Sequence, residues 1–367
     1  MLDRLVKERE LEFPITRSRI FMAHAAFSPL PARVAAAVCD LATALAERGQ
    51  GSFLEDPIER GAREAAGRML AVPASDIAFV LNTSTGVSLV ASAVDWRPGD
   101  NVVVAAGDFP SASDPWRRHG IEVREADVWS GPFLDLVDDR TRAVCVSTVN
   151  FASGQAVRGL EDLRERGVLV VVDAIQTLGT QPFDASPYDV VVADGHKWLL
   201  APKGCALMYV SPRAAEQLVP PVVGWRNMTT ERPYGPGLDL VAGAGRFEAG
   251  SPNVLGIAGM GEALRMFGEV GLDAIEERLA ELRSALVTIL LKHGLADDAW
   301  APATPLISLP LAQERAESLY RHLEAARIST SVRHDVTGQC YLRFSPHFYN
   351  TLDDLARLEE EIGAWSP

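Results

Sequence analysis

Six short runs of apolar and β-branched residues recur along the chain: Ile77–Leu81, Asn101–Ala105, Ala143–Ser147, Val168–Asp173, Asp189–Ala193 and Ala206–Val210. Each is apolar enough to be buried on both faces, which is how a parallel sheet covered by helices is written. Two helices precede them. Pro31–Gly49 and Pro57–Leu70 carry apolar residues at helical spacing behind a proline suited to a first turn. Residues 21–255 are therefore expected to form a large α/β domain with a doubly wound, mostly parallel sheet. Beyond about residue 255 the pattern becomes one long helical stretch, Gly256–Gly294. Strand-like Leu306–Leu311, a helix, strand-like Ile328–His334 and Cys340–Ser345, and a last helix follow; Thr351 and Asp354 open that helix at capping-box spacing. Residues 256–367, joined by 1–20, are expected to make a smaller α+β domain.

A chain of 367 residues can bury the cores that this division requires. Its net charge of −14 and the lack of any Lys/Arg run exclude nucleic acid as an expected partner. Met1 to Glu12 lacks the apolar core of a signal peptide, and no later segment approaches membrane-spanning length, so a cytoplasmic location away from membranes is expected. The four cysteines, Cys39, Cys145, Cys205 and Cys340, are far apart and show no spacing that suggests zinc. They read as reduced thiols, and no metal is expected.

In an open α/β sheet the ligand sits beyond the carboxyl ends of the strands. Three of these ends carry chemistry. Val168–Val172 runs into Asp173, a carboxylate at the end of an apolar strand that needs a cationic partner, with Gln176 three residues on. Val190–Ala193 runs into Asp194-Gly195-His196-Lys197, which puts a candidate nucleophilic amine beside a dry sheet. Ile77–Leu81 runs into Asn82-Thr83-Ser84-Thr85-Gly86 and then an apolar helix, the outline of a phosphate site. Taken singly, such residues are more often caps or solvated charges. Together they match the demands of pyridoxal 5'-phosphate (PLP): phosphate anchoring, protonation of the pyridine nitrogen and imine formation with a lysine.

At these residues the chain resembles the class V aminotransferase superfamily of fold-type I PLP enzymes, which includes cysteine desulfurases, selenocysteine lyases, isopenicillin N epimerase and kynureninase. The resemblance rests on VVDAIQTLG (171–179), ADGHKWLLAPKG (193–204), RFEAGSPN (246–253) and YLRFSPHFYNTLDDL (341–355), in the family's order and spacing. It implies a fold-type I architecture, a PLP cofactor and Lys197 as the Schiff-base lysine. Asp173 would pair with the pyridinium and Gln176 would face the phenolic oxygen. Thr83, Ser84, His196 and Asp194 would lie at the phosphate, and Phe109 would stack on the ring. Ser251 stands where the family has a threonine that reaches the neighbouring subunit's phosphate, which implies a homodimer with shared sites.

On the substrate side the resemblance implies an amino acid held by Arg343 through its α-carboxylate. His24, in the FMAHAAFSP loop, and Asn150, beside Phe151 where desulfurases have asparagine, are further candidates for substrate contact. Arg333 is open between a second anion contact and a surface charge. Two departures bear on the reaction. Asp194 occupies the place of a phosphate-binding serine and is repulsive there unless it points away or is offset by His196. Cys340, the only cysteine between Arg333 and Arg343, lies three residues from Arg343 on a probable strand, so the two should face opposite ways. The expected chemistry is transamination or carbon–sulfur cleavage without a persulfide cysteine. Cysteine desulfurase or epimerase activity, and a PLP-fold scaffold without turnover, are the alternatives.

Overall fold

The computed structural model describes residues 1–50, 57–129, 134–157, 159–160, 163, 166–229 and 239–366. Two short helices, α1 (Leu2–Lys7) and α2 (Arg9–Glu12), and a two-residue strand, β1 (Ile20–Phe21), lead into α3 (Ala32–Arg48) and α4 (Pro57–Leu70). Next come β2 (Ile77–Val80), α5 (Thr83–Ala93), β3 (Asn101–Ala105), α6 (Pro110–Arg117), β4 (Glu122–Ala126), β5 (Thr141–Ser147), β6 (Leu169–Asp173), β7 (Val190–Asp194), β8 (Ala206–Val210) and α7 (Pro212–Gln217). The chain ends with α8 (Val254–Val270), α9 (Leu272–Lys292), β9 (Ile307–Leu311), α10 (Gln313–Ala325), β10 (Ile328–Ser329), β11 (Ser331–His334), β12 (Cys340–Phe344) and α11 (Leu352–Ala364).

The main sheet has seven strands in the order β2-β8-β7-β6-β5-β3-β4. Neighbours from β4 to β7 pair in parallel, whereas β8 runs antiparallel to both β7 and β2. Two reversals return β2 to the common direction, so β8 alone is inverted. The carboxyl ends of β2, β3, β5, β6 and β7 therefore share one edge. Successive residues of the central strands point to opposite faces. Val103, Val144 and Val170 pack into the core that α4 and α8 cover, while Val102, Cys145 and Val171 pack with Val87 of α5 and Trp116 of α6. Helix α5 lies so close to β7 that a Cβ on Gly86 would stand 2.7 Å from Val192 Cγ1. That contact fixes the N-terminus of α5 beside the strand ends.

A second, antiparallel sheet has the order β11-β12-β9, with Ser331 opposite Arg343 and Arg333 opposite Tyr341. β1 pairs in parallel with β10, which joins the start of the chain to this region. Helix α11 opens with both hydrogen bonds of the capping box, Asp354 N–H to Thr351 Oγ1 and Thr351 N–H to the Asp354 carboxylate. Among the described residues no helix is long and apolar enough to cross a membrane.

The structure corrects the sequence expectation in three places. The edge strand β4, Glu-Val-Arg-Glu-Ala, has no apolar run and was not anticipated. The long helical stretch breaks at Gly271 into α8 and α9. Ile328–His334 divides at Thr330, because its two halves pair with different strands, β1 and β12.

Candidate active site

The strand ends enclose a cavity of about 280 Å³ whose lining includes Lys197, Asp173, His196, Arg333 and Arg343. Asp173 ends β6 and is 2% exposed. Its Oδ1 accepts the Ile175 N–H at 2.9 Å. Burial pushes the carboxyl up from the usual range, against the lowering effects of that bond and of Lys197. Burial draws the Lys197 amine down; Asp173 opposes this, and Arg343 and Arg333 add to it. A carboxyl and an amine displaced towards each other in one cavity make this a candidate site of chemistry.

The lysine loop is anchored from several sides. Ser28 Oγ donates to the Lys197 carbonyl at 2.6 Å, and Trp198 Nε1 donates to Gln176 Oε1 at 2.9 Å. Gly179, at φ +93°, passes under this loop, where a Cβ would lie 2.4 Å from the Trp198 carbonyl oxygen. Gln176 spends its Nε2 on the Ala25 carbonyl at 3.1 Å and still lines the cavity.

At the other end of the cavity, Asn82 caps α5 by accepting the Thr85 N–H, and Asn82, Thr83 and Ser84 line the space before the helix. Thr83 Oγ1 accepts the Asp194 N–H at 3.2 Å, and Ser84 Oγ is 2.6 Å from Ser111 Oγ. Asp194 is turned towards His196, with Oδ2 3.0 Å from Nδ1. The two side chains stand side by side in the cavity lining. The buried Oδ1 of Asp194 has no hydrogen-bond partner among the described residues.

Phe109 presents its ring 5.7 Å from Lys197 Nζ and meets Phe151 edge-on at 5.3 Å between centroids. Asp108, which was not singled out from the sequence, holds this turn by accepting the Phe109 and Ser147 N–H groups, both at 2.7 Å. Ser111 and Ser147 were also missed. Ser147 ends β5, so the strand-end rule applied there would have found it.

Arg343 is 1% exposed; its Nε and Nη2 donate to Ser331 Oγ and its Nη1 to the Phe151 carbonyl. Burial, and then Arg333, lower its pKa. Cys340 is buried outside the cavity lining, and burial pushes its thiol up.

Three candidates do not enter the cavity lining. His24 is fully buried, with Nδ1 2.8 Å from the Ser345 carbonyl and Nε2 2.7 Å from the Tyr349 hydroxyl. Asn150 donates to the Gly107 carbonyl and accepts the Ala152 and Ser153 N–H groups, so its amide shapes a turn instead of facing a ligand. Ser251 is exposed in a separate surface cleft.

The buried His24 and His347 give a testable pH dependence. The Ser345 carbonyl puts a proton on His24 Nδ1; the Phe348 N–H and the Trp198 carbonyl fix His347 with its proton on Nε2. The His347 ring is therefore held neutral, and burial lowers its pKa to about 4 and that of His24 in the same direction. A folded-state pKa below the unfolded one gives stability that is present above pH 6.5 and is lost as pH falls towards 4. His347 accounts for about 3 kcal/mol of that loss. Denaturant titrations should show the native protein losing more stability over this window than His347→Gln; parallel curves would exclude the effect.

A buried carboxylate, an amine and a hydroxyl-lined helix N-terminus in one cavity fit the pyridine nitrogen, aldehyde and phosphate of PLP. Residues 20–358 match the aminotransferase class V family. The chain belongs to that family. As a class V family member it is a PLP-dependent enzyme with PLP as its cofactor. An uncharacterized aminotransferase of Bacillus subtilis, YcbU, is 24% identical over 99% of both chains. Isopenicillin N epimerase of Streptomyces clavuligerus is 27% identical over 83% of each. In fold the chain is similar to the cystine C–S lyase C-DES solved with cysteine persulfide, at a TM-score of 0.83 and 22% identity over 97% of this chain and 100% of that one.

Proposed function

We propose that this class V enzyme binds an α-amino acid by its carboxylate on Arg343, moves the α-proton with Lys197, and completes a transamination or a carbon–sulfur cleavage that uses no persulfide cysteine. The observation that carries this reading is the composition of one cavity: Lys197, Asp173 and Arg343 line it together, and no cysteine among the described residues does. Bound PLP supplies the electron sink that makes the α-proton labile. Thr83, Ser84 and His196 would hold its phosphate, Asp173 its ring nitrogen, and Phe109 its ring face. Arg343, fixed by Ser331 and Phe151, orients the substrate so that its α-carbon meets the Lys197 amine.

Borohydride treatment of the yellow protein should leave the cofactor on the peptide that contains Lys197; an unlabelled Lys197 would end the proposal. Product analysis over an amino-acid panel then separates keto acid, released sulfur and inverted amino acid. Activity should survive Cys340→Ala, because Cys340 is buried outside the cavity lining. Sulfur release that vanishes in that variant would restore the desulfurase alternative.

The working form is proposed to be a cytoplasmic homodimer. Exposed Leu81 and Val222 line the same cleft as Ser251, with Val223 and Trp225 also exposed nearby in sequence. Sedimentation should show two copies. The division into units 21–255 and 1–20 with 256–367 is part of the same proposal, with α8 packed on α3 and α4 between them.

A further inference from the structure

Arg333 and Arg343 stand on one face of the β11–β12 hairpin. Ser331 is directly opposite Arg343, and Arg333 lies two residues further along the same strand, which makes it the diagonal neighbour of Arg343. Diagonal neighbours are roughly 7–8 Å apart. Both guanidinium side chains line the cavity, and neither has a carboxylate partner among the described residues. Arg343 donates three hydrogen bonds and Arg333 one, to the Val332 carbonyl. A guanidinium has five N–H groups, so both keep donors for a ligand.

Among the described residues the lining acids of the cavity are Asp173 and Asp194, and neither is paired with either arginine. Asp173 is the partner fitted to the cofactor's ring nitrogen, and Asp194 is turned towards His196. A bound phosphate would sit at the other end of the cavity, before α5, among Thr83, Ser84 and His196. A substrate α-carboxylate neutralises one guanidinium, and the other remains, at a place where each cation disfavours its neighbours.

We propose that the pocket selects an α-amino acid with a second carboxylate on its side chain, with Arg343 holding the α-carboxylate and Arg333 the distal one. Arg343 is the more buried and is fixed by Ser331 and Phe151, as suits the group next to the reacting carbon. Arg333 is half-buried nearer the hairpin turn and has more free donors, as suits a group that reads the far end. The inference rests on the proposed amino-acid chemistry and names its substrate class.

The test uses the holoenzyme with a matched pair of unreactive probes, glutarate and pentanoate, titrated by calorimetry. Glutarate should bind at least about tenfold more tightly, the value of one further charge-assisted contact. In Arg333→Gln the preference should collapse to near unity with pentanoate affinity unchanged. Arg333→Lys should recover part of it, and the cofactor absorption band should respond to L-glutamate or L-aspartate at lower concentration than to L-norvaline. Equal or undetectable binding of the two probes to the native enzyme would overturn the proposal. So would an Arg333→Gln protein that loses pentanoate affinity as well, since both arginines would then grip one carboxylate. The underlying PLP reading fails in a different way: Lys197 stays unlabelled by borohydride, whatever the probes do.

Discussion

Lys197→Ala is expected to lower turnover by about 10⁴-fold, the upper range for loss of a positioned acid–base group. The fold should persist. The Lys197 side chain makes no ion pair among the described residues, and burial already disfavours its charge, so alanine removes a cost along with the amine. The loop does not depend on that side chain, because Ser28 holds the Lys197 carbonyl and Gln176 holds Trp198. Melting temperature and turnover should therefore separate, with the first near native and the second collapsed. A variant that keeps more than a tenth of native turnover would show that another group moves the proton.

Asp173→Asn should act in opposite directions on stability and rate. Its carboxylate accepts one N–H, from Ile175, and an asparagine oxygen can keep that bond. Burial raises the native carboxyl's pKa, so between the unfolded-state value and the folded one the folded protein binds the extra proton, and stability falls as pH rises through that window. The neutral amide removes this loss, and the apoprotein should melt no lower than native at neutral pH. The holoenzyme, deprived of the negative charge fitted to the ring nitrogen, should lose about 10²-fold or more in turnover, as expected when a buried charge loses its partner. Turnover within threefold of native would remove Asp173 from the mechanism. Melting far below native would mean that Asp173 serves the fold.

The features most legible in the sequence were those that repeat a simple physical rule. Strands buried on both faces declare themselves by apolar runs, and the strand-end rule then reaches Asp173, Lys197 and Thr83 without knowledge of their neighbours. Strand direction is not written in such runs, since β8 is as apolar as β7 and yet runs the other way. β4 was invisible because an edge strand needs few apolar residues; only Ala126 of its five residues is buried. Loop residues were the least legible. His24 and Asn150 were assigned by their place in loops, but a polar side chain on a loop is decided by whichever partner reaches it first. Here Tyr349, from the far end of the chain, and Gly107 took them. Arg333 was undecided for the converse reason: the register of one hairpin, not any local signal, turns it to the same face as Arg343.

That hairpin belongs to the three-stranded sheet, whereas Lys197 and Asp173 extend from the seven-stranded one. A substrate gripped by the arginines and presented to the lysine would span the two sheets as a rivet does two plates. The rivet is also the reactant, so each turnover would cut its tie to the lysine side, while Arg343, bonded to the Phe151 carbonyl beyond β5, still joins the two plates.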